Sequence, residues 1–370
     1  MLKCIYWSRF LVACLFCIPT AAFADNSADF AAMQDVVLKA GQPSPVWEGP
    51  VDGPVAQTGK HIAVVVEDLR NGGVLGVAHG VSEASKLLEW DLKIFDAGGT
   101  RQGRSDAVEK VLSGEFDGMI LIGSDAEELA DPLERVAAQN IPVVGWHAGP
   151  QAGRLSNSAL AVNVSTDPLE VARVTAMAAV VEASSETKKG VVIFTDSNFE
   201  IALFKSNAMA DVIRNCQSCE LLEIRDVAIS ESHKLMGDIT QELLTKYGAA
   251  WTHALAINDI YFDDMMPTLI KADIDTSNLK LLSAGDGSAA AFQRILTQSY
   301  QVATVAEPLE LHGWQLADEL NRLLAGETPD GYIFPVHLVT PENAHLDGGT
   351  RYIFDPENAY RDIYRGIWLP

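Results

Sequence analysis

Short, unbroken apolar runs alternate with amphipathic stretches along this chain, and the alternation occurs twice. In the first series HIAVVV at His61–Val66 gives way to the polar, glycine-containing loop EDLRNGG. Apolar residues then return at helical spacing through Val74, Val77, Ala78, Val81, Ala84 and Leu88, and LKIFDAGG follows as a second apolar run. Residues three and four apart share a helix face, whereas a run without alternation suits a strand covered on both sides. Strand, loop, helix, strand with a crossover of this length predicts a parallel pair. Further runs fall at Met119–Ile122, Ile141–Trp146 and Ala159–Val164. Between them lie helical patterns through Ala107, Val108, Val111 and Leu112, and through Leu129, Leu133, Val136 and Ala137. Asp131-Pro132 suits a first helical turn, where proline's missing N–H costs nothing.

The second series has runs at Val191–Phe194, Leu221–Ile224, Ala254–Ile257, Leu279–Ser283 and Val302–Ala306. It ends in a long helical pattern from Leu309 to Leu324 that stops at Gly326. Two successive series predict an α/β protein of two doubly wound, parallel-sheet lobes. In such sheets ligands meet the loops at the carboxyl ends of strands, which directs attention first to Glu67–Gly73.

With 370 residues, 48% of them hydrophobic, the chain can bury two moderate cores. Its formal charge of −23, without a cluster of lysine and arginine, argues against a nucleic-acid partner. Lys3 and Arg9, the apolar stretch Phe10–Ile18 and Ala22-Phe23-Ala24 form a predicted signal peptide, 1–24, cut after Ala24. The apolar stretch ends at Pro19, too short to span a bilayer. Only four residues separate Arg9 from Cys14, too few for a lipoprotein leader. The expectation is a soluble, exported, periplasmic protein. Of 5 cysteines, Cys216 and Cys219 remain after the cut. In an oxidising compartment they predict a local disulfide. A redox dithiol would follow a strand and open a helix, whereas this pair follows a helical pattern.

Residues 25–59 are rich in proline, glycine and small residues and read as an extended arm, with Trp47 docked on a lobe. Beyond Pro335, VHLVT suits a closing strand and DGGTRYIFDPENAYRDIYRGIWLP a tail on the surface.

Taken together and in order, EDLRNGG, GSDAEEL, IPVVGWHA, AINDIY, LLSAGDGS and TVAEPLELHG resemble the strand-end loops of periplasmic sugar-binding proteins of the ribose- and galactose-binding type. These type I periplasmic binding proteins are solute receptors of ABC importers. The resemblance runs from about Lys60 to Thr340 and implies two lobes closing on a ligand, with hinge crossings near Ser165, Glu307 and Leu338. The implied division is 60–165 plus 308–338 for lobe 1, and 166–307 plus 339–370 for lobe 2 with the tail. Asn71 falls where the family has an asparagine facing ligand, with Arg70 beside it. Asn258 and Asp286 match ligand positions, and Glu307 stands where some members carry glutamine. Amides and carboxylates at fixed geometry suit a polyhydroxyl ligand. Asn258 also reads as a turn residue, and Asp286 as a helix N-cap.

The departures from the family bear on the ligand. Two consecutive aromatics of pentose binders are replaced by Gly73 and Val74, and an Asp-Arg pair by His147-Ala148. Leu203 or Lys205 occupies the neighbourhood of an expected arginine. Trp146 offers an apolar platform beside His147, or closes the strand core. Phe199 and Glu200 fall on a loop facing the cleft. No nucleophile, metal-ligand or cofactor motif stands out, so neither catalysis nor a cofactor is expected. The resemblance implies a monomeric receptor that delivers a small polar solute, a sugar or polyol, to an importer permease. The alternative is presentation of ligand to a histidine kinase or chemoreceptor.

Overall fold

A computed structural model describes residues 21–369 except 44, 45, 183 and 185, with side chains from 29 onward. The predicted signal peptide lies outside the described residues over 1–20. Helix α1 (Ala21–Ala40) opens the described chain. The first lobe follows with β1 (His61–Val66), α2 (Gly72–Leu87), β2 (Asp91–Asp96), α3 (Arg101–Leu112), β3 (Gly118–Ile122), α4 (Ala130–Ala137), β4 (Val143–Trp146), β5 (Gly153–Arg154) and β6 (Leu160–Val164). The second contains α5 (Pro168–Val181), β7 (Lys189–Thr195), α6 (Glu200–Asn215), β8 (Cys219–Asp226), α7 (Ser232–Tyr247), β9 (His253–Ala256), α8 (Ile260–Lys271), β10 (Lys280–Ser283), α9 (Ala289–Leu296) and β11 (Gln301–Ala306). The chain closes with α10 (Leu309–Leu324), β12 (His337–Val339), α11 (Ala344–Asp347) and α12 (Tyr360–Trp368).

One sheet has the order β2-β1-β3-β4-β6-β5, the other β12-β11-β10-β9-β7-β8. All pairings are parallel except β5 with β6 and β11 with β12. Because β1 lies between β2 and β3, and β7 between β8 and β9, each sheet has a topological switch point where strand-end loops part and leave a crevice. Ile62–Val66 of β1, Met119–Ile122 of β3, Val191–Phe194 of β7 and Ala254–Ala256 of β9 are buried and apolar on both faces, which explains their unbroken runs.

Helix α10 leaves the second sheet and packs against α2 of the first lobe. A Cβ on Gly80 would stand 2.3 Å from the Glu310 carbonyl oxygen, and one on Gly313 would stand 2.5 Å from that of Val77. Glycine at both positions is what lets the two helix backbones touch.

Two terminal segments differ from expectation. The arm is not extended throughout, since its first part is helical to Ala40. Phe30, Met33, Val37 and Ala40 pack against the second lobe's core. Their spacing of three and four residues is an apolar stripe within FAAMQDVVLKA, and tertiary burial stabilises it. The extended part reaches the first lobe, where Trp47 packs at 5.3 Å from Tyr332 and 5.5 Å from Tyr364. The tail is not a surface wrap on lobe 2 but folds α12 onto α10 of the first lobe, burying Tyr360, Tyr364 and Trp368 around Trp314. YRDIYRGIW carries these aromatics at helical spacing, so one face is apolar. β12 pairs with β11, so the crossing back to the second lobe precedes His337. No helix among the described residues is long and apolar enough to cross a membrane.

Candidate functional site

The strand-end loops of the two sheets face one another across a cavity of about 420 Å³. From the first lobe come Glu67, Asp68 and Asn71 after β1, Gly123 after β3, and Trp146 and His147 at the end of β4. The second contributes Asp196 to Phe199 after β7, Lys205 from α6, Asn258 after β9 and Asp286 after β10. The lobes are in close contact here. A Cβ on Gly73 would fall 2.0 Å from Asp286 Oδ2, so an aromatic at this position, as in pentose binders, would collide with the opposite wall.

Six of the sequence candidates line the cavity: Asn71, Trp146, His147, Phe199, Asn258 and Asp286. Asn71 caps α2 by accepting the Gly73 N–H on Oδ1 at 2.9 Å, which fixes its amide at the cavity edge. Asn258 is a turn residue and a wall residue at once. Its Oδ1 accepts the Ile260 N–H at 3.0 Å and its Nδ2 donates to Asp286 Oδ2 at 2.8 Å. Asp286 is not the cap of α9, because Ser288 Oγ accepts the Ala291 N–H. Its carboxylate, 4% exposed, is therefore free for the cavity. Burial pushes it up to about 6, against the opposing pull of the His147 and Lys205 charges.

His147 lies flat on Trp146, ring centroids 3.8 Å apart and planes 9° apart. Trp146 is thus 1% exposed and lies beneath its neighbour's imidazole at the cavity wall. Its Nε1 donates to His312 Nδ1 at 3.1 Å. His147 Nε2 donates to Glu307 Oε1 at 2.8 Å, with Lys205 Nζ 3.8 Å from the same oxygen. Glu307 therefore stands behind the wall, as a support for His147 and Lys205. Burial pushes its carboxyl up, but the His147 and Lys205 charges prevail and hold it at about 2. Arg70 also lies off the wall, a correction to its placing among ligand contacts. Its guanidinium folds back on Asp68, with Nη2 2.6 Å from Oδ2, and its side chain is 58% exposed.

Sequence reasoning left Lys205 and Leu203 as alternatives and passed over Arg104, Ser124 and Asp259. Lys205, buried and donating to the Ala284 carbonyl at 3.0 Å, is the cation that faces the cavity from α6, whereas Leu203 faces outward. Arg104 joins Glu67 and Glu128 at 2.7 Å each, and Ser124 donates to Glu67, whose carboxyl burial pushes up against the Arg104 charge. Asp259 accepts the N–H groups of Gly287 and Ser288 on one oxygen, and Gln301 and Thr304 side chains on the other. It thereby holds the loop that carries Asp286. Its position beside Asn258 in AINDIY was the available signal.

Ligand atoms of His147, Asp286 and Glu307 lie within 4.8 Å of one another, a spacing compatible with a metal ion. Lys205 already brings an ammonium to this triangle, so a divalent ion would meet a like charge there. The arrangement works as a hydrogen-bonded ion network that offers the cavity a carboxylate, amides, an imidazole and an ammonium. Cys216 and Cys219 form a disulfide between α6 and β8, remote from the cavity lining.

Residues 62–328 match the family model of the periplasmic binding protein domain. Among solved structures, an ABC transporter solute-binding protein from Agrobacterium vitis with bound allitol is 18% identical, with a TM-score of 0.66 over 77% of this chain and 97% of that one. A sugar ABC transporter protein from Yersinia enterocolitica is 16% identical, with a TM-score of 0.68 over 88% of this chain and 98% of that one. A solute-binding protein from Bacillus halodurans with bound myo-inositol is 17% identical, with a TM-score of 0.65 over 78% of this chain and 96% of that one. At these identities the likeness is one of fold. No curated protein sequence matches the chain.

Proposed function

The chain belongs to the periplasmic binding protein domain family, and from that premise we propose that it captures a small polar solute, a sugar or polyol, between its lobes for an ABC importer. The observation that supports this reading is the convergence of Asn71 and His147 from one lobe with Asn258, Lys205 and Asp286 from the other on one cavity. Its volume of about 420 Å³ suits a small molecule. The free groups mix donors with an acceptor: Lys205 donates, and Asp286 accepts. A hydroxyl does both, so a polyol can satisfy such a wall without leaving buried groups unpaired.

The solute differs from the pentoses that stack between aromatic rings. The imidazole of His147, backed by Trp146, supplies one flat face and Phe199 another. Asn71, Asn258 and Asp286 supply the directional contacts, with Glu307 holding His147 in place. The mature chain works as a monomer in the periplasm, released by cleavage after Ala24, and its partner is the importer's permease. It performs no catalysis.

A thermal-shift screen of the mature protein against sugars, polyols, amines and nucleosides tests this reading. A true ligand at 100 times its Kd adds about 2.7 kcal/mol of stability. A shift confined to amines or nucleosides would overturn the sugar or polyol assignment.

A further inference from the structure

Helix α6 starts without a cap of its own. Its N-cap residue, Phe199, offers no side-chain acceptor. The acceptor comes from the opposite lobe. Asp125, in the loop after β3, receives the Glu200 backbone N–H on Oδ2 at 2.9 Å, while its Oδ1 receives the Glu127 N–H of its own loop at 2.9 Å. Asp125 is 6% exposed and does not line the cavity. A carboxylate here satisfies one of the helix's orphan donors and meets the positive end of the helix dipole. Two neighbours lie across the same seam. The Arg104 guanidinium stands 5.5 Å over the Phe199 ring, and a Cβ on Gly99 would lie 2.7 Å from Ser230 Cβ.

We propose that Asp125 is a closing latch: by capping α6 across the cleft it raises the closed-to-open ratio of the protein without touching solute. The inference rests on closure of two lobes around a cleft but not on the identity of the solute. The contact exists only while the lobes are together, since opening returns both Asp125 and the first turn of α6 to water. A ligand can only shift an equilibrium between existing states, and its apparent affinity scales with the fraction that is binding-competent. Asp125 is therefore a positioning residue that tunes affinity from outside the site.

Two variants remove the contact from opposite sides. Asp125→Ala removes the acceptor. Glu200→Pro removes the donor at the first helical position, where proline is tolerated, and Phe199 at φ −125, ψ 127 already has the extended backbone that precedes proline. Asp125→Asn keeps an acceptor for its own loop and loses the charge.

Small-angle scattering of the dialysed, ligand-free mature chain reads the open fraction, and melting curves establish that each variant is folded. Asp125→Ala and Glu200→Pro should each lower the closed-to-open ratio roughly tenfold, the worth of one charge-assisted hydrogen bond, and enlarge the radius of gyration. The double variant should open no further than either single one, and Asp125→Asn should fall between them and the parent. A folded Glu200→Pro protein with the parent's scattering curve would overturn the proposal, as would strictly additive opening in the double variant. Should Glu200→Pro not fold, unchanged scattering of Asp125→Ala would overturn it equally. Failure of every sugar and polyol to bind would leave these curves unaffected, so the two readings fail separately.

Discussion

Asn258 donates its side-chain amide to Asp286 Oδ2 at 2.8 Å, which joins the loops after two adjacent strands of the second lobe. That bond orients a buried carboxylate towards the cavity while leaving its other oxygen for a ligand. Asp259, next in the chain, grips the same loop from below through the N–H groups of Gly287 and Ser288. The wall around Asp286 is thus preorganised before a solute arrives, and less ordering remains to be done on binding.

Asp286 should cost the empty protein stability. Its carboxyl sits at about 6 instead of 3.8, so the folded chain holds a proton there more tightly than the unfolded chain does. The penalty is fully present above pH 6 and fades as the pH falls from 6 towards 3.8. Asp286→Asn should therefore raise the melting temperature near neutral pH, by up to about 3 kcal/mol in stability, and the gain should vanish near pH 4. Melting curves across pH check this, and a gain independent of pH would refute it.

Glu307 acts with the opposite sign. Held at about 2 instead of 4.5, it contributes stability above 4.5 that is lost as pH falls towards 2. Glu307→Gln leaves Lys205 buried without its carboxylate and should destabilise by about 3 kcal/mol or more at neutral pH. The parent and the variant should converge in stability on acidification. Denaturant titrations at several pH values provide the comparison.

Much of the fold was legible because its signals are local. Each apolar run between Ile62 and Ala306 became a strand, and Leu309 to Leu324 became a helix ending before Gly326, whose φ is +80. The termini were not legible in the same way. Phe30, Met33 and Val37 form a stripe only in relation to the surface of the second lobe, and Tyr364 and Trp368 only in relation to Trp314. In the site, loop position located Asn71, Asn258 and Asp286. It could not show that Arg70 would turn to Asp68, or that Lys205 rather than Leu203 would face inward. The turn of Arg70 depends on a side-chain rotamer that residue spacing does not encode. Lys205, by contrast, shares the buried face of Ile201, Ala202 and Met209, so helical spacing carried a signal that loop position did not.

The contact of α2 with α10 should tolerate no side chain. In Gly313→Ala the new methyl would stand 2.5 Å from the Val77 carbonyl oxygen and the Val81 nitrogen, both backbone atoms. A cost of about 1–3 kcal/mol is expected as the helices part. Thermal unfolding of the variant measures it, and an unchanged melting temperature would contradict the packing described.

The Cys216–Cys219 disulfide should matter for stability and not for binding. It joins α6 to β8 and does not line the cavity. The double serine variant should retain the parent's Kd within twofold, about 0.4 kcal/mol, even where its melting temperature falls. A tenfold weaker Kd would tie the disulfide to the site.

The most direct test of solute capture is a calorimetric titration of the sugar or polyol selected by thermal shift into three proteins: the parent, Asp286→Asn and Asp286→Ala. Asp286 lines the cavity with a buried carboxylate that caps no helix, so both variants should fold and both should lose affinity. The expected loss is about 1.5–3 kcal/mol, the worth of a charge-assisted bond in a desolvated cleft. An Asp286→Asn protein that binds with the parent's Kd would take Asp286 out of the site and contradict the account.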